Sequence, residues 1–495
     1  MEPSKTTPSP TIAGQTPAQL DPRYATKVLL TATAVALLLN YVETMVIPGI
    51  PTIQSDFGTT PTIASWITSA FLIVGSAVAP LLGKLGDTHG KKKMVLVSLA
   101  FYTFGVGIAG FSPSIYFLII SRAVQGVGFA IVPLSLAIIA DTFPREKIAA
   151  AQGVISGTFA IGAAAGLIIG SYVVQDLGWQ YAFHSAFVLS IVLAIIVWRV
   201  IKPDVPGPSR SIDFAGAAIL MSGVTLLLVY ATEGPSLGWL VPEELAFLVP
   251  GALLTVFFFF FERRRSEPLI ALDLLRIRNV LVANLIGIVS GTLMFLLFFA
   301  VVYYAQLHAP YGLQLGIIST GLTMAPATLA MLLIGPIAGR TVARIGPKPV
   351  LFASSLVMIT GLALFIFHRG TGEDLTIDTI FALVGVVCMI IPIVNMVTIS
   401  LPRQTTAVGL GINTMLRNLG GAIGPVVATA IMTTYTVKGL RLPPGTPAPP
   451  SSTAFDIIFE IGIVLAVLVM VLAYASKNYT FKSNKVDKPT APGAH

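Results

Sequence analysis

Glu43 and Arg122 are charges in stretches where a chain rarely keeps them. Glu43 is the only charged residue between Val28 and Pro48, and Arg122 is the only one in the apolar run 115–134. If those runs cross a bilayer, a lone charge at mid-depth costs about 2.5–3.5 kcal/mol on insertion scales. Burial favours the neutral form of a carboxylate, whereas a neighbouring cation favours the charged form. A carboxylate held between those two pulls can carry protons, and this is the chemistry expected of Glu43 with Arg122 as its partner. Two other readings stay open: a permanent Glu43–Arg122 ion pair bracing two helices, or a direct contact of Glu43 with a cationic substrate.

Other polar groups share the apolar runs. Asn40, Gln125, Asn395 and the second deeply placed base, Arg417, are candidate substrate contacts; a buried amide there equally serves to hydrogen-bond a neighbouring helix. Tyr303 and Tyr304, in FLLFFAVVYYAQ, offer aromatic surface suited to apolar or cationic compounds, though aromatic side chains also gather at membrane interfaces. The remaining acids compete less: Asp56, Asp141, Asp176, Asp204, Asp213, Glu233 and Glu267 fall in or near loops, and Asp456 and Glu460 open the last apolar run.

The elements that position these residues follow from composition. The chain has 495 residues, 55% hydrophobic and only 11% charged, with mean hydropathy +0.86, against roughly 25% charged in soluble domains. A membrane-spanning helix needs about 20 apolar residues, and fourteen such windows run from 28–50 to 454–475. An all-α polytopic membrane protein is expected. Residues 1–27 and 476–495 read as disordered tails. The first 25 residues lack the basic start and small-residue cleavage site of a secretory signal, so the first spanner is expected to act as an uncleaved signal.

Lys and Arg gather in loops on one side. Lys84, Lys91 to Lys93, Arg145, Lys147, Arg199, Lys202, Arg210, Arg263 to Arg265, Arg276, Arg278, Arg340, Arg344, Lys348 and Arg403 share it with both tails, and the other side holds Arg369, Lys438 and Arg441. By the positive-inside rule both termini are cytoplasmic. The net charge of +8 follows from this asymmetry and from anionic headgroups, and nucleic acid is not an expected partner.

The chain also repeats itself. GKLGDTHGKKK (83–93) and GRTVARIGPKP (339–349) align Gly83 with Gly339, Gly90 with Gly346 and Lys92 with Lys348, and Pro144, Gly153, Gly162 and Gly166 align with Pro402, Gly411, Gly420 and Gly424. The expected organisation is a six-helix bundle at 28–200, an inserted helix pair with its loops at 201–278, and a second bundle at 279–475. Two like bundles suggest a central cavity opening alternately to either side.

These motifs carry a family resemblance. GKLGDTHGKKK, through Gly83, Leu85, Asp87, Gly90, Lys91 and Lys92, resembles the cytoplasmic loop motif of the major facilitator superfamily. RAVQGVG, through Arg122, Gln125, Gly126 and Gly128, resembles a second motif of that superfamily, and the fourteen spanners resemble its drug:proton antiporter subfamily with fourteen helices. The resemblance implies the major facilitator fold, a cavity wall shared by the first and fourth spanners, and a conformational switch in the loop Gly83, Asp87, Gly90, Lys91 and Lys92. Physically, Asp87 could accept hydrogen bonds from a helix N-terminus or a basic side chain, or it could simply be solvated. Gly157, Gly162, Gly166 and Gly170 resemble the family's antiporter motif, with Leu167 where that pattern has proline and Ser171 where it has glycine. Read as spacing alone, the last three glycines bare one helix face for close packing.

No phosphate-binding loop, zinc spacing or lipase-type Gly-x-Ser-x-Gly occurs, so no enzyme activity, metal or organic cofactor is expected, and protons are the expected coupling ion. Cys388 stands alone and reads as an apolar packer. The function expected is proton-driven efflux of small amphiphilic or cationic compounds by a monomer in the plasma membrane. The alternatives are a carrier of one metabolite or lipid, by symport or uniport, and a transporter-like sensor that does not translocate.

Overall fold

The computed structural model describes residues 22–204, 213–265, 268–437 and 448–478. Most of both expected tails, with Arg210, Glu267, Lys438 and Arg441, lies outside them. Among the described residues, fourteen helices are long and apolar enough to cross a membrane. In the first half these are α1 (Pro22–Met45), α2 (Pro61–His89), α3 (Lys91–Ala109), α4 (Ile115–Thr142), α5 (Arg145–Asp176) and α6 (Trp179–Val200). The inserted pair is α7 (Phe214–Leu237) and α8 (Pro242–Glu262). The second half comprises α9 (Arg278–Gln306), α10 (Ile317–Ile345), α11 (Pro347–Phe367), α12 (Gly372–Ser400), α13 (Arg403–Thr434) and α14 (Ser452–Ala475).

Local chemistry sets several boundaries. The Thr60 hydroxyl accepts from the Ile63 amide at 3.3 Å, with Pro61 in the first turn, and Thr371 with Asp374 forms a reciprocal capping box at α12. The tail expected at 1–27 is corrected at its end, because Pro22 already starts α1. Here Thr26 adds a hydroxyl bond to the Pro22 carbonyl, continuing the helix beyond its apolar core. At the other terminus, Lys477 and Asn478 hydrogen-bond Asn279 and Ile345, so the tail expected from 476 begins tied to the bundle.

The duplication is a packing fact as well as a sequence one. α1 packs on α5 as α9 packs on α13; α2 meets α4 as α10 meets α12; α3 meets α6 as α11 meets α14. Gly90 and Gly346 both adopt positive φ, +98° and +89°, a conformation costly for residues with a β-carbon. The halves meet along two seams, α2 with α13 and α5 with α10, and α7 of the inserted pair lies against both α2 and α13.

Candidate functional site

The RAVQGVG glycines let three helices crowd around Arg122. A β-carbon at Gly126 would stand 2.5 Å from the Phe71 carbonyl oxygen of α2, and one at Gly128 would strike the Tyr102 ring of α3. Just there α4 tightens into a 3₁₀ turn, Val127–Ala130. Arg122 is 1% exposed. Its Nε donates to the Ile67 carbonyl at 3.0 Å, its Nη1 to Gln125 Oε1 at 2.6 Å, and its guanidinium lies 4.4 Å from the centre of the Phe71 ring. Gln125 is buried with its carbonyl committed to this arginine.

Glu43 is half-buried on α1 and makes no hydrogen bond or ion pair among the described residues. The direct Glu43–Arg122 ion pair weighed as a brace is not formed, because Arg122 is held by Ile67 and Gln125 instead. The cations whose fields reach Glu43 are Arg122 of the first half and Arg417 of α13 in the second. Arg417 is also half-buried. The structure therefore groups Glu43, Arg122, Gln125 and Arg417 where the two halves face each other.

The other candidates are distributed differently. Asn40 is buried at the α1–α5 contact and donates to the Ala36 carbonyl of its own helix. Asn395 likewise bonds the Ile391 carbonyl on α12. Tyr304 has its hydroxyl on the Arg369 carbonyl at 3.1 Å and its ring edge-on to Phe455. The Tyr303 hydroxyl donates to Gln54 Oε1 at 2.8 Å, bridging the second half to the first.

That last bond belongs to a seal at the end remote from the loop motif. Gln306 Nε2 donates to the Pro48 carbonyl at 2.7 Å, the Ile318 amide to Gln175 Oε1 at 3.1 Å, and Ser69 Oγ to the Ala422 carbonyl at 2.8 Å. Gly321 of α10 sits against Leu167 O and Ser171 Oγ of α5. The two positions departing from the antiporter pattern are thus points of contact between the halves. About five turns further along the same helix faces, a β-carbon at Gly153 or Gly339 would meet nothing within 4 Å. The halves touch at one end and stand apart at the other.

The sequence profile of the Major Facilitator Superfamily matches residues 32–425. The chain belongs to this superfamily. It is a multi-pass membrane transporter and not an enzyme. Similar proteins include the multidrug transporter protein MdtP of Bacillus subtilis (strain 168), 26% identical over 82% of this chain and 75% of that one. The tetracenomycin C resistance and export protein of Streptomyces glaucescens is 27% identical over 81% and 75%. Among solved structures, a bacterial homologue of the human lysosomal transporter Spinster, described as inward-facing and unoccupied, matches with TM-score 0.65 at 12% identity over 92% of this chain and 96% of that one. A D-xylose-proton symporter matches with TM-score 0.63 at 13% identity over 92% and 100%. At those identities the likeness is one of fold.

In this member of the Major Facilitator Superfamily the loop motif is held by residues the sequence did not single out. Asp204, beyond α6, accepts from the Lys91 amide at 2.6 Å and the Lys92 amide at 3.1 Å, capping α3 from a distant segment. Lys91 Nζ pairs with Asp141, and Lys92 Nζ donates to the Trp198 carbonyl. Asp87 is exposed and has no partner among the described residues. It lies about five turns below Ser69 on the same face of α2, the face that meets α13 at the sealed end. A β-carbon at Gly83, one turn earlier, would meet nothing within 4 Å. Three of the four motif glycines pack α5 onto α1: Gly162 against Leu37 O, Gly166 against Tyr41 O and Thr44 Oγ1, and Gly170 against Met45. Gly157 faces elsewhere, with Leu332 of α10 at 3.8 Å.

Proposed function

We propose that this transporter exports hydrophobic or cationic small molecules in exchange for protons, by alternating access, as a monomer in the plasma membrane. The observation that carries the reading is Glu43, a half-buried carboxylate without a hydrogen-bond or ion-pair partner among the described residues, within the fields of Arg122 on one half and Arg417 on the other. Ionised, Glu43 attracts bases of both halves; protonated, it releases them. One proton therefore changes the attraction between the two moving bodies, which is what coupling requires. Relatives named for multidrug transport and for resistance and export support the substrate class. The basic loops support a cytoplasmic position for the open end, where substrate would be collected. Asp87 then serves as a latch made in the opposite state, when the α2 and α13 ends approach.

The test uses the purified protein in liposomes under an imposed pH gradient. Ethidium is expected to dissipate the gradient, and Glu43→Gln to abolish the effect while ethidium binding persists. Full exchange by Glu43→Gln would remove Glu43 from the coupling step, and failure of a series of lipophilic cations to move protons would overturn antiport itself.

A further inference from the structure

Two acids come together where α7 begins and α8 ends. Asp213 caps α7, with Oδ1 accepting from the Gly216 amide at 2.9 Å, and Glu262 ends α8, with Oε2 accepting from the Ile270 amide at 3.4 Å. Both are buried, at 6% and 2% exposed. Their other oxygens, Asp213 Oδ2 and Glu262 Oε1, have no hydrogen-bond partner among the described residues. Both of those oxygens lie 2.5 Å from the point where a β-carbon on Gly216 would stand, so they share the space that this glycine leaves open.

The surroundings are apolar: Ala217, Leu220, Phe258 and Leu269 belong to one cluster with Leu81 of α2 and Met415 of α13. Among the described residues the charged group facing the pair is Arg265, whose Nε is 3.7 Å from Asp213 Oδ1 and whose guanidinium also stacks on Phe261. Lys84 of α2 reaches the same linker, donating to the Pro268 carbonyl at 2.9 Å. Two ionised carboxylates sharing that space in such a setting repel, whereas one proton gives the pair a donor and an acceptor and satisfies both spare oxygens. A hard cation would want about six oxygens or more, and these two side chains have two to spare.

We propose that Asp213 and Glu262 form a proton-binding carboxyl pair, sharing one proton between Oδ2 and Oε1, which fastens the inserted helices where both halves meet them. The site is separate from Glu43 and sits on an element that neither repeat contains. It makes the clasp sensitive to pH in a definite direction. The folded pair retains a proton that the unfolded chain releases, so its contribution to stability falls as pH rises and the proton leaves.

The experiment takes full-length protein, with Glu262→Gln and Asp213→Asn each made singly, and reads thermal unfolding across pH together with infrared difference spectra of the carboxyl C=O stretch. An amide keeps a donor for the remaining carboxylate, so both variants are expected to fold. The expected result is that either substitution alone removes the same fall of melting temperature with rising pH and the same protonated-carboxyl band, although each leaves one acid in place. Retention of the wild-type pH dependence and band in both variants would overturn the proposal. So would a sodium- or calcium-dependent rise in melting temperature that either variant abolishes.

Discussion

Arg122 illustrates why residue type rather than charge matters in the central site. Its planar fork reaches a backbone carbonyl of α2 and the side chain of Gln125 while its face covers Phe71, a set of contacts that one ammonium nitrogen cannot reproduce. Arg122→Lys is therefore expected to lower stability by about 1.5–3 kcal/mol, the usual worth of a hydrogen bond to a charged group, read as a fall in melting temperature of the purified protein. An unchanged melting temperature would mean that the fork is dispensable. Glu43, Arg122 and Arg417 were conspicuous in the sequence because a charge stands out against apolar neighbours. Arg122 was expected beside Glu43, but Arg417 was not, since Glu43 and Arg417 come together only through the facing of two bundles. Asp204, Asp213 and Glu262 were harder still: each borders a loop, where an acid looks solvated, and its task depends on a distant backbone amide or a second acid.

At the scale of elements, spacing foretold the glycine face of α5 but not its target. Gly162, Gly166 and Gly170 accommodate α1, and Gly420 and Gly424 of α13 accommodate α9 in the same way, with Thr44 donating to Ala163 O and Thr292 to Gly420 O, both at 3.0 Å. Gly166→Val would drive a side chain into the Tyr41 carbonyl, and such overpacking costs about 1–3 kcal/mol. The expectation is a marked drop in folded yield and melting temperature. Gly157→Ala, with ordinary contact to Leu332 at 3.8 Å, is expected to leave both unchanged, and equal losses in the two variants would show that the stripe is not what joins α5 to α1. The fourteen spans and the duplication were legible because apolar runs and repeated turn glycines are local signals. The seal was not, because Gln54, Gln175 and Gln306 are unremarkable amides until their partners are known.

For the whole molecule, the splay of α5 from α10 predicts a state-dependent cross-link. With Cys388 replaced by alanine, Gly153→Cys and Gly339→Cys are expected to remain unlinked in the form described here, since a disulfide needs Cα atoms within about 4.4–6.8 Å. They are expected to link, and to arrest transport, under conditions that close this end. Linking at the same rate under every condition would contradict a rocking motion of the halves. The opposite end raises a question of force. Tyr303–Gln54, Gln306–Pro48, Ile318–Gln175 and Ser69–Ala422 are the hydrogen bonds to be broken there, each worth about 0.5–1.5 kcal/mol net. One proton falling through about 100 mV and one pH unit delivers roughly 2.3 and 1.4 kcal/mol. The hydrogen-bonded part of the seal and the drive that one proton would supply under the proposed exchange are thus of comparable size, so those bonds are no barrier to reopening this end in each cycle.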